Sequence, residues 1–254
     1  MLGRITTLIA IFALVCSVGI FISGPLTRLG VWDFQQGLAN IRLLAMPVLV
    51  GGALSLIMLL IGLVKSRSSV PIALIAVLSS AAAAYIPLSM KSAAQSHPII
   101  HDITTDFIDP PAIKAAAKLP RKNPVAYVGD QSVPRSTSEV SIAEAQQKAY
   151  PEIEPVIVNA DIEKVKGVSG NVLESMKLEI LAAGPGSETS SWTIEAVDTS
   201  FWFGFKDDFI VRLRTLEDGS TRVDIRSKSR VGASDLGANA ARINKFIEGL
   251  KSGL

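Results

Sequence analysis

The 254-residue chain is 48% apolar and only 19% charged, with positive mean hydropathy, which is too apolar for an ordinary soluble domain and points to a membrane protein with a water-exposed part. Residues 1–90 carry five basic side chains (Arg4, Arg28, Arg42, Lys65, Arg67) and one acid (Asp33), whereas residues 91–254 carry 20 basic and 22 acidic ones. The pI of ≈ 8.7 therefore reflects charge beside the membrane and gives no sign of nucleic-acid binding.

Residues 5–23, 43–64 and 70–90 are uncharged runs, each long enough to cross about 30 Å of hydrocarbon as a helix. Pro71 suits the first turn of the third helix, where its missing N–H costs little. Arg4 and the first run also fit a signal peptide, and "ALVC" ends at Cys16 like a lipoprotein processing site. The run is long for such a leader, no A-x-A site follows, and Val15 is bulky where a small residue belongs, so a retained helix is expected. The one cysteine, Cys16, lies in this run, so the part outside the membrane has no internal disulfide. Between the first two runs, "GVWDFQQGLANI" places Trp32 and Phe34 where interfacial aromatics belong and fits a short helix lying among the headgroups. Placing the N-terminus inside puts Arg4, Lys65, Arg67 and the terminal amine in the cytoplasm against Arg28, Arg42 and Lys91 on the other side, a slight positive-inside lean that sets the region after Met90 outside the cytoplasm. No ionisable side chain lies within a span, which argues against a pump. Gly51, Gly52, Ser55, Ser79, Ser80 and Ala81 to Ala84 permit close helix packing.

Residues 91–138 are rich in proline and read as a strap or linker. Within them, "HPIIHDITTDFIDPP" offers metal-type ligands: His97, His101 and Asp102, with Asp106 and Asp109 beyond. Pro98 favours an extended backbone at His97, so the two histidines would not share a helical face. The alternative is an extended segment whose Ile99, Ile100, Ile103 and Phe107 pack on the following domain.

Residues 139–254 read as an α+β domain. A helix is expected over 139–150 with Ser138 as cap and Pro151 as stop, then a short strand in "EPVIVNA". A second helix is expected over "NVLESMKLEILAA", closed by Gly184 and Pro185. "SSWTIEAVD", "FIVRLRT" and "TRVDIRSKSR" alternate as strands. Phe209, Val211, Leu213, Val223 and Ile225 face the core, and Arg212, Arg214, Arg222, Asp224, Arg226, Lys228 and Arg230 face solvent. Residues opposite each other in a hairpin share a face. A three-residue Glu217-Asp218-Gly219 loop therefore sets Leu213 opposite Val223, Val211 opposite Ile225 and Arg212 opposite Asp224, with Gly219 left-handed. The last helix starts near Ser234 or Asp235 and presents Leu236, Ala240, Ile243, Ile247 and Leu250, with Phe246 adjoining. The fold class is thus three transmembrane helices followed by an α+β domain, an antiparallel sheet with helices on one face and a C-terminal helix.

"WTIEAVDTSFWFGFKDDFIVRLR", "GSTRVDIRSKSRVGASDLGANAARI" and the earlier "HDITTDFIDPP" resemble the domain-of-unknown-function family 1499 over roughly residues 97–250. The resemblance implies a protein of bacterial envelopes or photosynthetic organelles, often membrane-anchored, and implies no established reaction. A multi-pass protein of the bacterial plasma (inner) membrane is the corresponding expectation.

No Gly-rich phosphate loop is present and no cofactor is expected. Asp207 and Asp208, on one strand, would point to opposite faces. Arg226 and Arg230 lead into the helix N-terminus at Ser234–Asp235, where guanidinium groups and free N–H groups could hold a carboxylate, phosphate or acidic headgroup. Asn239 and Arg242 complete this candidate binding set. The competing expectation is structural: Asp235 caps the helix and pairs with Arg230, while Asn239 and Arg242 brace the corner. Two function classes follow. One is an anchored module binding a protein partner, a lipid or a small anion. The other is an envelope enzyme, a metal-assisted hydrolase using His97 and His101.

Overall fold

A computed structural model describes residues 2–134, 139–187 and 190–254. The chain divides into two compact units, one of Met1–Ser92 with Phe201–Gly204, the other of Ala93–Ser200 with Phe205–Leu254.

The first unit holds three helices long and apolar enough to cross a membrane, α1 (Leu2–Arg28), α2 (Phe34–Lys65) and α3 (Val70–Ser96), with a 3₁₀ turn over Arg67–Ser69 before α3. Each outlasts its apolar run. The separate interfacial helix expected around Trp32 and Phe34 is instead the first turns of α2, which Asp33 caps by accepting from the Gln36 N–H. Small side chains set the packing. A Cβ on Gly51 would stand 3.0 Å from that of Ala13, and one on Gly52 would stand 2.9 Å from that of Ser80. Ser17, Ser23 and Thr27 of α1 turn their hydroxyls back onto carbonyls four residues earlier, at 2.8, 2.7 and 2.7 Å, so these polar groups need no water.

The second unit is an antiparallel sheet with helices on one face. β1 (Asp102–Thr104) and β2 (Val156–Val158) both pair with β6 (Thr221–Ser229), followed in order by β5 (Lys206–Thr215), β4 (Ser191–Thr199) and β3 (Glu179–Pro185). The β5–β6 register sets Leu213 against Val223, Val211 against Ile225 and Arg212 against Asp224, and Gly219 has φ 81°. Leu216 and Ser220 close the loop with an N–H to O contact of 2.8 Å, so the parity of the two strands dictated the turn length. Phe209, Val211, Leu213, Val223 and Ile225 are fully buried beneath Val165 and Leu173 of α5 (Ile162–Ser175) and Ile243, Phe246 and Leu250 of α6 (Ala238–Gly253).

Three elements differ from expectation. The helix read over "NVLESMKLEILAA" is two elements. α5 starts earlier, where Asp161 accepts from the Lys164 N–H at 2.9 Å, and ends before Lys177 at φ 61°, after which β3 begins. β3 is an edge strand with most side chains in solvent, so its alternation is too weak to separate it from a helical run. Helix α4 (Ile142–Ala149) is capped by a Ser141–Glu144 capping box, and the expected cap Ser138 lies outside the described residues. α6 starts at Ala238 and not at Ser234–Asp235, because Gly232, Leu236 and Gly237 all take positive φ and hold the intervening chain in a loop.

Candidate functional site

The second face of the sheet is polar and covered. Alternation along β5 and β6 turns Asp208, Ile210, Arg212, Arg214, Arg222, Asp224, Arg226 and Lys228 away from the helices. Read from sequence, this was a solvated face. Instead Arg226 is 2% exposed, Arg230 4% and Lys228 0%. The cover comes from the residues after β1. Ile113 and Ala116 pack on Ile210, with Leu119 and Val125 adjoining. The carbonyls of Pro111 and Val125 accept from Arg226, and that of Ala126 accepts from Lys228.

The interior of this face is a set of buried ion pairs. Arg226 grips the Asp102 carboxylate with both arms of its fork, at 2.8 and 2.9 Å, and Lys228 Nζ reaches the same carboxylate at 2.7 Å. Burial pushes the Lys228 ammonium below its ordinary pKa, and the Asp102 charge opposes this. Asp208 accepts from Arg121 at 2.5 Å and from Arg230 at 2.8 Å. Glu195 caps the 3₁₀ turn over Ala115–Lys118 by accepting from the N–H groups of Lys114, Ala115 and Ala116. Tyr127 lies 5.4 Å from the Arg226 guanidinium, and burial followed by the Asp102 charge pushes its hydroxyl pKa up.

Toward one edge the face opens. Asp224 bridges Arg212 (3.2 Å), Arg214 (2.7 Å) and Arg222 (2.8 Å). Asp106 reaches Arg222 at 2.8 Å and Arg214 at 3.3 Å. Asp109 contacts Arg212 at 2.7 Å and Arg214 at 3.5 Å. The Asp224 and Asp106 side chains are 0% and 9% exposed, that of Asp109 is 59%, and those of Arg214 and Arg222 are 22% and 30%. Burial would raise the Asp106 pKa, but N–H groups of Asp109 and Ile108 and the charges of Arg222 and Arg212 outweigh it and hold it low.

The six residues expected to form one binding set are divided between the two faces. Arg226 and Arg230 serve Asp102 and Asp208 on the covered face. Asn239 and Arg242 lie on the helical side, where Arg242 reaches Asp198 at 2.7 Å and Asp207 at 2.8 Å. Asn239 is wholly buried and joins Ser227, Ser229 and the His101 carbonyl. Asp235 lies two residues before Gly237, the N-cap of α6, accepts from the N–H groups of Gly237 and Asn239, and does not meet Arg230. Burial raises its pKa, against those two N–H groups. Ser234 accepts from the Leu236 N–H at 3.2 Å. Asp207 and Asp208 point to opposite faces, toward Arg242 and toward Arg121 and Arg230 respectively.

The metal-type residues are also separated. His97 Nδ1 lies 3.0 Å from the Tyr150 hydroxyl, the buried His101 ring makes no hydrogen bond among the described residues, and Asp102 is taken by Arg226 and Lys228. Among the described residues no three His, Cys, Asp or Glu side chains gather as a set that could hold a metal ion. The roles of Asp106, Asp109, Arg121 and Glu195 in this face escaped the sequence reading. The balance of 20 basic and 22 acidic residues after Met90 was the signal that most of these charges pair with each other.

A family model described as a protein of unknown function, DUF1499, matches residues 102–250. The chain belongs to this family. The match begins at Asp102, the buried partner of Arg226 and Lys228, and ends at Leu250 on α6, so the family's unit is the sheet with both its covers. α1 to α3 lie outside it. No curated protein matches the chain.

Proposed function

We propose that this chain is a membrane-anchored binding module of the cell envelope whose ligand presents a phosphate or carboxylate to Arg214 and Arg222. The observation that carries this reading is Asp109. It is the most exposed carboxylate of the cluster, and it occupies the Arg212 and Arg214 guanidinium groups beside the part-exposed Arg222, all three of which Asp224 already holds in place. An incoming oxyanion that displaces Asp109 would meet arginines needing little reorganisation, and forked guanidinium donors match such anions in shape. Ile108, 97% exposed, offers an apolar contact one residue away. If all three apolar helices span, the α1–α2 connection and the chain after α3 share one side of the membrane, and the terminal amine, added to Arg4, Lys65 and Arg67 against Arg28, Arg42 and Lys91, favours the outer side for them.

The test is a titration of the full chain in neutral-lipid nanodiscs with inorganic phosphate and with acetate. Asp109→Asn should bind either anion more tightly than the parent, and Arg214→Gln/Arg222→Gln should lose binding about tenfold or more, as expected for charge-assisted contacts of about 1.4 kcal/mol upward. If neither the parent nor Asp109→Asn binds either anion, the reading is wrong.

A further inference from the structure

The loop Phe201–Gly204 joins β4 to β5 but belongs to the unit of membrane helices. Its anchoring is specific. The Trp202 ring lies on Gly24, where an added Cβ would come within 2.5 Å, and its indole N–H donates to the Phe21 carbonyl at 3.3 Å. Phe203 is buried against Gly37 and meets Trp202 edge-on at 5.0 Å. Arg28 donates to the Phe201 carbonyl.

These contacts fix the loop at a known level. The uncharged run of the first span ends at Ser23, and Arg28 and Asp33 mark the charged boundary beyond it. Trp32, whose indole N–H donates to Thr27 at 2.9 Å, sits at the same boundary, as interfacial tryptophans do. Phe201 is held there with 90% of its surface open, and Leu29 (76%) and Val31 (64%), which follow Arg28 in the chain, are exposed as well. Aromatic and aliphatic side chains gathered at the end of a membrane span fit the zone where acyl chains meet headgroups. We infer that Phe201–Gly204 is a membrane-interface anchor and that the Phe201 side chain lies in the bilayer at headgroup depth. The occupant of this apolar surface is lipid.

A nitroxide at position 201 tests this in the full chain in phosphatidylcholine vesicles, using Phe201→Cys in a Cys16→Ser background. Collision with oxygen should exceed collision with a water-soluble nickel chelate several-fold, and nitroxide-bearing lipids should place the label near the headgroups. A label reached mainly by the nickel chelate, in a protein with the parent's thermal melt, would overturn the inference. As a check that does not alter Phe201, Trp202 alone, in Trp32→Phe/Trp192→Phe, should be quenched several-fold more by shallowly brominated lipid than by aqueous iodide. The reverse order would also overturn it.

Discussion

Asp102 and Lys228 stand opposite each other in the β1–β6 register, their charged atoms 2.7 Å apart and both side chains closed to solvent. Arg226 shares the same carboxylate, so one acid is the ion-pair partner of two buried cations. Removing that acid leaves two uncompensated charges in the interior. Asp102→Asn should therefore cost about 3–5 kcal/mol in denaturant unfolding. Adding Lys228→Met should recover part of the loss. A cost below about 1 kcal/mol, the size of a surface substitution, would show that solvent reaches this pair.

Gly219 has φ 81° and nothing within 4 Å of where a Cβ would be, so only the backbone resists a larger residue. Gly219→Val should destabilise by about 1 kcal/mol or more, with Gly219→Asn costing less because Asn tolerates the left-handed region. Equal stability of the two variants would contradict the turn geometry.

His101 and Asp106 each add a step to the pH dependence of stability. Burial, then the Lys228 charge, holds the His101 pKa below its ordinary 6.5. The unfolded chain binds a proton there that the folded chain refuses, so stability falls as pH drops through 6.5 and levels off below the folded pKa. Asp106 is held below its ordinary 3.8, so its contribution is present above 3.8 and is lost as pH falls through the folded pKa. Thermal melts from about pH 7 to 5 should show the first loss, and His101→Gln should abolish it. Asp106→Asn should instead flatten the slope below 3.8.

The side of the membrane on which the sheet lies is checked by a reporter fused after Leu254. A reporter active only outside the cytoplasm is the expected outcome. Activity confined to the cytoplasm would reverse the orientation and outweigh the single extra charge that the terminal amine adds to Arg4, Lys65 and Arg67 over Arg28, Arg42 and Lys91.

The apolar code of this fold was legible because its periods are long and strict. Uncharged runs marked α1 to α3, and the parity of Val211, Leu213, Val223 and Ile225 gave the hairpin register. The candidate site was less legible because alternation assigns a residue to a face without saying whether that face is wet. Arg226, Lys228 and Arg230 were placed on the right face, but its cover comes from residues more than 100 positions away, such as Asp102, Pro111 and Val125. β3 failed for a different reason: an edge strand with few buried side chains has little pattern to read.

The double pairing along β6 also bears on how the protein assembles. β4, β5 and β6 follow one another and zip by short loops, whereas β1 must return across 124 residues to bring Asp102 to Arg226. Closing so long a loop costs entropy before any contact rewards it, and pairings of this span form late. Until β1 docks, Arg226 and Lys228 remain hydrated on one side of the four-stranded β3–β6 meander. Docking of β1 with the segment that follows it then strips water from all three charges together, so pairing of this strand and sealing of the polar face are expected as one event, and a chain lacking β1 is expected to keep its basic strand exposed.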